Sequence, residues 1–197
     1  ENDWLVGDTK TGEIAKFELG LKNRRLWRTT DGYFIGSNFP GDEKVIAEET
    51  TFNPANTGQS VLVRKARWEQ LMAEYKGYID VEDGKLFEAD HVDLATGKEG
   101  FNSNVLCGHV DEDPKGTPEF SWAPFSPAGS VQGKVTSTAL AKEMKMWAHM
   151  GHPCGRDFVA KEFLAAHPEF AWQKPYLKDL KAHPWTLFAG SDPSFSK

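Results

Sequence analysis

Apolar and polar residues alternate with a period of two at the start of the chain and fall into helical spacing further on. Trp4-Leu5-Val6 is an apolar run, and Asp8-Thr9-Lys10-Thr11-Gly12 has turn chemistry. From Glu13 to Leu19, Ala15, Phe17 and Leu19 share one face while Lys16 and Glu18 share the other. That is the signature of a half-buried strand with its apolar face inward, and it predicts Trp4 to Val6 and Ala15 to Leu19 as buried central strands. Asp31-Gly32 separates Leu26-Trp27-Arg28 from Tyr33-Phe34-Ile35 and predicts a second hairpin, because Asp-Gly tolerates the positive φ angles of a tight turn.

Gly36 to Ser60 is rich in Gly, Pro, Asn and acidic residues and is predicted as loop. A helix is expected over about 61–76, with Val61, Trp68, Leu71, Met72 and Tyr75 on one stripe, Ser60 as N-cap and Gly77 as the stop. Residues 95–134 show little periodicity, and a loop that long is usually functional or laid over a partner. Two further helices are predicted. One spans about 137–150, capped by Thr136 or Ser137 with Leu140, Met144 and Trp147 inward; the other spans about 156–166, with Phe158, Val159 and Phe163 inward. The Pro- and Trp-rich tail is predicted to wrap the surface without regular elements. Strands grouped first and helices later indicate an α+β arrangement.

Acidic residues outnumber basic ones, 29 to 23, for a net charge of -6. This argues against a sequence-independent nucleic-acid partner, and no apolar run has the length of a membrane span. The polar Glu1-Asn2-Asp3 start is unlike a signal peptide, and an apolar run so close to Glu1 suggests an upstream portion removed by processing. Cys107 and Cys154 either form a disulfide in an oxidising compartment or stay reduced and buried; their spacing does not decide.

Walker, dinucleotide-binding, zincin and Gly-x-Ser-x-Gly motifs are all lacking, and no cofactor is expected. His149, His152 and Cys154 look like metal ligands, but Gly151 and Pro153 interrupt the element that carries them. A capped helix end with solvated histidines is the reading adopted, with no metal. Asp111-Glu112-Asp113-Pro114 lacks the spaced ligands of an EF-hand and is expected to be a solvated acidic loop.

The most specific pattern is Asn2-Asp3-Trp4-Leu5-Val6-Gly7-Asp8, followed by Thr11-Gly12-Glu13-Ile14-Ala15 and Glu18-Leu19-Gly20. Downstream come Asp113-Pro114, Phe120, Trp122, Pro124, Pro127, Gly129-Ser130-Val131 and Gly133-Lys134-Val135-Thr136-Ser137, leading into a helix. In order and separation these blocks resemble the C-terminal half of phospholipase B-like proteins and the related penicillin acyltransferase group. The resemblance implies that residues 1–197 are the C-terminal portion of one N-terminal-nucleophile hydrolase domain, a four-layer αββα sandwich with antiparallel sheets.

In such enzymes autoproteolysis frees a Cys, Ser or Thr whose own α-amine acts as base. The resemblance assigns Asn2 as a donor to the oxyanion, against the plainer role of satisfying backbone groups at a strand head. Trp4 and Arg28 are candidate substrate contacts, Arg28 together with Arg24 and Arg25 for a carboxylate or phosphate, weighed against a solvated strand face. Glu1 is not a nucleophile, and neither Cys107 nor Cys154 is N-terminal, so the nucleophile is expected upstream or on a partner chain of the same precursor. The expected reaction is cleavage of an amide, or of a phospholipid acyl ester, in a small acylated or peptide-like substrate. The expected setting is a soluble protein of a secreted, periplasmic or lysosome-like compartment. A non-catalytic structural or binding module reusing the fold is the alternative.

Overall fold

The computed structural model describes residues 2–36, 39–109 and 132–190. It is an α+β chain whose strands all pair antiparallel in small open sheets. Strands β1 (Asn2–Gly7), β2 (Ile14–Leu19) and β3 (Arg24–Thr29) form the first sheet in that order. Trp4 pairs with Phe17 and Phe17 with Leu26, so these three side chains share a face. Asp3, Glu18 and Arg25 lie in the adjacent row and point the other way.

The sheet is inverted relative to the sequence expectation. Lys16 and Glu18 are 5 % and 0 % exposed, whereas Trp4, Val6 and Leu26 are 60 %, 62 % and 52 % exposed. Strand β1 is an edge, and its Trp4-Leu5-Val6 run is solvent-facing, contrary to the buried central strand predicted; β2 is central. The cause lies in what covers the polar face. Asp31-Gly32 does lie in a bend, with Gly32 at φ 78°, but the expected hairpin does not form: Tyr33-Phe34-Ile35 adds no fourth strand to the sheet. It folds under the sheet instead, lining a pocket with Lys16, Glu18 and Trp27. The Gly41 and Asp42 N–H groups donate to Glu18 at 2.9 and 2.8 Å, and Lys16 Nζ sits over the Phe39 ring.

Asp42 then caps α1 (Glu43–Glu49), accepting from the Lys44 and Val45 N–H groups. At the other end of α1, Glu49 accepts N–H groups of the β2–β3 turn, from Leu21, Lys22 and Asn23. Helix α2 (Ser60–Glu74) follows the predicted stripe, with Gln59 in place of Ser60 as its cap. Its Trp68 and Tyr75 pack edge-on against Phe87 of α3 (Val81–Glu88), a helix closed by an Asp80/Asp83 capping box. A two-stranded hairpin follows, β4 (Val92–Asp93) with β5 (Lys98–Glu99).

The second three-stranded sheet holds β6 (Gln132–Val135), β7 (Lys145–Met150) and β8 (Thr186–Ala189), with β7 central. The helix predicted over 137–150 is therefore only α4 (Thr138–Lys142), capped by Ser137. Met144 adopts φ 54°, the left-handed region, which ends the helix and turns the chain into β7. The helix predicted over 156–166 is shortened to α5 (Ala160–Ala166), because Phe158 bridges to Leu180 through paired backbone bonds of 2.9 Å. A 3-10 turn, Pro168–Gln173, follows it. The tail is not irregular throughout, since it supplies β8. No helix among the described residues is long and apolar enough to cross a membrane.

Candidate functional site

Two constellations stand out, one at the head of the first sheet and one where the 90–109 loop meets the end of β7. At the sheet head, Asn2 stands opposite Leu19 in the β1–β2 register. Asp3 follows on the covered face, 3.2 Å from Lys16 Nζ, which lies 2.9 Å from Glu18. Burial raises the Asp3 pKa, and Lys16 opposes that rise. Glu18 is satisfied by Lys16 and the two backbone N–H groups, so this face of the strands carries a buried ionic layer instead of an apolar one.

Trp4 lies on the open face and is exposed. Arg28 shares that face through its pairing with Ala15, but its guanidinium is engaged with Glu13, the Nη2–Oε2 bond being 2.8 Å. The Arg28–Glu13 pair is mutually reinforcing: it lowers the Glu13 pKa and raises that of Arg28. Of Arg24 and Arg25, the second stacks on Trp27 at 4.5 Å. The downstream blocks from Asp113 to Val131, and the acidic loop at 111–114, lie outside the described residues.

The second constellation was not foreseen. His91 Nε2 is 3.1 Å from His109 Nε2, and His109 Nε2 is 3.5 Å from both Cys107 Sγ and Cys154 Sγ. The four ligand-type atoms lie within 4.8 Å of one another. Local chemistry builds this arrangement. The buried Asp93 carboxylate accepts from Ala95 N–H, Asn102 and Asn104, folding the loop around itself. Asp90, held by a two-pronged contact with Arg67 at 3.0 and 2.6 Å, accepts the Cys107 N–H at its carbonyl. His91 then leads into β4 while Cys107 and His109 return beside it.

Cys154 arrives from the other side on a turn in which Gly155 N–H donates to the His152 carbonyl, Gly155 being at φ 82°. Cys107 and His109 are fully buried, and Cys154 reaches the surface. The thiols are not joined in a disulfide. Hydrogen bonds from Cys107, then His109 and His91, outweigh burial and hold Cys154 well below the usual thiol range.

His149 and His152, expected as solvated residues at a helix end, are buried instead. His149 belongs to β7 and meets the His152 carbonyl at 2.6 Å, and burial lowers its pKa. His152 stacks on His109 with ring centroids 3.8 Å apart. Cys154 thus does join a cluster of possible ligands, though with His91, Cys107 and His109 and not with the two histidines nearest it in sequence. The signal in the sequence was the pair of tripeptides Cys107-Gly108-His109 and His152-Pro153-Cys154, each presenting sulfur and imidazole across a turn residue. Comparison with known proteins adds no relative to this picture: no protein-family model matches the chain, and no curated protein or solved structure matches it.

Proposed function

We propose that the chain is the C-terminal part of an N-terminal-nucleophile hydrolase that cleaves an amide bond, or secondarily a phospholipid acyl ester. Its nucleophilic cysteine belongs to an upstream segment of the same precursor. The observation that supports this reading is the first sheet, whose open face carries Trp4, Val6 and Leu26 while its covered face is ionic. An open apolar sheet face calls for a second layer, and in a four-layer αββα sandwich that layer is the other sheet. The β1 edge and the face beside it are where an upstream segment would dock.

In this reading the free α-amine of the upstream cysteine takes the thiol proton, and the sulfur attacks the substrate carbonyl. The Asn2 side-chain amide donates to the oxyanion that forms. Asp3, Lys16 and Glu18 hold the head of β1 in place from the covered side, which keeps Asn2 in position. Trp4 and Arg28 sit on the face where an acyl group and a substrate carboxylate would lie. A secreted, periplasmic or lysosome-like compartment goes with this activity.

The test is expression of the precursor with its natural upstream sequence, followed by intact mass, N-terminal sequencing and assay on a panel of acyl-anilides. The expected result is two associated polypeptides, one beginning with cysteine, whose amidase activity is lost on alkylation. Asn2→Ala should lower kcat by about 10²–10³-fold without separating the polypeptides. A mature protein with no N-terminal Cys, Ser or Thr on any of its chains would sink the proposal.

A further inference from the structure

We propose that His91, Cys107, His109 and Cys154 are the ligands of a zinc-type divalent metal ion, bound in a closed tetrahedral site that clamps the 90–109 loop to the segment after β7. The proposal is independent of the hydrolase reading, since none of these residues lies in the first sheet.

The spacing of the donors is the first argument. With Zn–N near 2.05 Å and Zn–S near 2.3 Å, a tetrahedron puts two nitrogens about 3.3 Å apart and a nitrogen and a sulfur about 3.6 Å apart. The His91–His109 separation is 3.1 Å, and His109 lies 3.5 Å from each sulfur. All four atoms lie within 4.8 Å of one another, a limit that admits the sulfur–sulfur separation of about 3.8 Å that the same geometry requires.

Valence is the second. His109 Nε2 has either one hydrogen or one lone pair, yet three potential partners stand within 3.5 Å of it. One cation at the centre gives each of the four atoms the same single task. His91 Nε2 facing His109 Nε2 is the arrangement two lone pairs adopt around a shared ion.

The third argument is the wall around the donors. His109 is stacked on His152 and packs at a near-perpendicular angle against Phe101, with His91 also against Phe101. Cys107 is anchored through its N–H to the Asp90 carbonyl, and Asp90 by Arg67. Such supports fix ring and thiol orientation before an ion arrives. Two sulfurs and two imidazoles, with no oxygen among them, select a borderline-soft ion of the zinc type over calcium or magnesium. With four protein ligands no position stays open for substrate, so the role is structural, and both cysteines bind as thiolates.

The experiment uses the native full-length protein stripped with chelator and then titrated with Zn²⁺ or Co²⁺ alone. Expected are about one ion per chain, a rise in Tm of about 5 °C or more at saturating zinc, and protection of both thiols from alkylation. The cobalt form should show thiolate-to-metal charge transfer and the strong visible bands of tetrahedral geometry. Cys107→Ser, Cys154→Ser and His91→Ala should each weaken zinc binding at least about 100-fold. Cys154→Ser keeps the shape of an exposed side chain, so its loss of binding does not reduce to misfolding. The wild-type protein overturns the proposal if it takes up neither ion, if its thiols alkylate equally fast with and without zinc, or if its cobalt spectrum lacks charge transfer. Unchanged affinity in the cysteine variants does the same.

Discussion

Lys16 Nζ lies 2.9 Å from Glu18 Oε1, two residues away on the same strand, and both side chains are out of water. Asp3 completes the group at 3.2 Å from the same ammonium. Removing the cation leaves two carboxylates facing a covered surface with too little compensation. Lys16→Met should therefore destabilise the chain by about 3–5 kcal/mol. The exposed Arg28–Glu13 pair is the internal comparison: Arg28→Met should change stability little, because the pair stands in water. Urea denaturation at neutral pH measures both, and a Lys16→Met variant as stable as Arg28→Met would show that this ionic layer is solvated.

The alternation of residues 13–19 was readable in the sequence, but the side it faces was not. A period of two says that a strand has two faces; which one is covered depends on the donors that other segments bring. Here the Gly41 and Asp42 N–H groups at the head of α1 make the Glu18 face the covered one. Helix α2 was readable because its stripe is satisfied locally, against Phe87 of the next helix. Residues 140–147 deceived because Leu140, Met144 and Trp147 happen to fit helical spacing. The positive φ of Met144, and the pairing of β7 with the nearby β6 and with β8, distant in sequence, override that spacing. The thiol–imidazole cluster draws on positions from 91 to 154: the tripeptides Cys107-Gly108-His109 and His152-Pro153-Cys154 hold three of its residues, but only tertiary folding brings them together with His91.

Gly133 should be intolerant of any side chain. A Cβ there would meet the Glu88 carboxylate and approach the Trp185 ring at 2.6 Å, closer than non-bonded carbons come. The carboxylate can swing aside, but the indole is wedged against His149 with centroids 5.3 Å apart. Gly133→Ala is expected to cost about 1–3 kcal/mol. Gly7→Ala, whose Cβ meets only Ile14 at 3.9 Å, should change stability little. Thermal melts of the two variants side by side check the contrast.

Glu88 should make stability fall as pH rises through the weakly acidic range. Burial raises its pKa to about 7, and the single Lys134 N–H at 3.4 Å lowers it only in part. The folded state therefore binds the proton more tightly than the unfolded chain does, where the group titrates near its ordinary value. The contribution is fully present below that ordinary value and is lost as pH climbs through the folded pKa. After allowance for partial solvent screening, the loss is on the order of 1–2 kcal/mol. Glu88→Gln should abolish this slope and be the more stable protein at neutral pH. Melting temperatures from pH 4 to 8 test it, and parallel curves for both proteins would refute the assignment.

The open face of the first sheet yields the sharpest separation between a covered and a bare surface. Trp4, Phe17 and Leu26 form one cross-strand row, with Val6 and Ala15 in the next. A charge placed in that row has opposite consequences in the two cases. If the face is bare in the working protein, Trp4→Glu and Leu26→Glu are surface changes, each within about 0.5 kcal/mol in stability. If an upstream polypeptide covers it, the isolated chain still tolerates them, but the assembly loses a buried aromatic anchor and gains a desolvated carboxylate. A lost anchor alone is worth about 2 kcal/mol or more, roughly a thirtyfold weakening of association. The expected outcome is the second: unchanged melting of the isolated chain, weaker dye binding to its exposed apolar surface, and loss of the partner polypeptide on gel filtration of the co-expressed precursor. Should the variants instead unfold the isolated chain, the row is covered by the chain's own residues and the docking face lies elsewhere. Should they leave the co-expressed assembly intact, the upstream segment does not sit on this sheet.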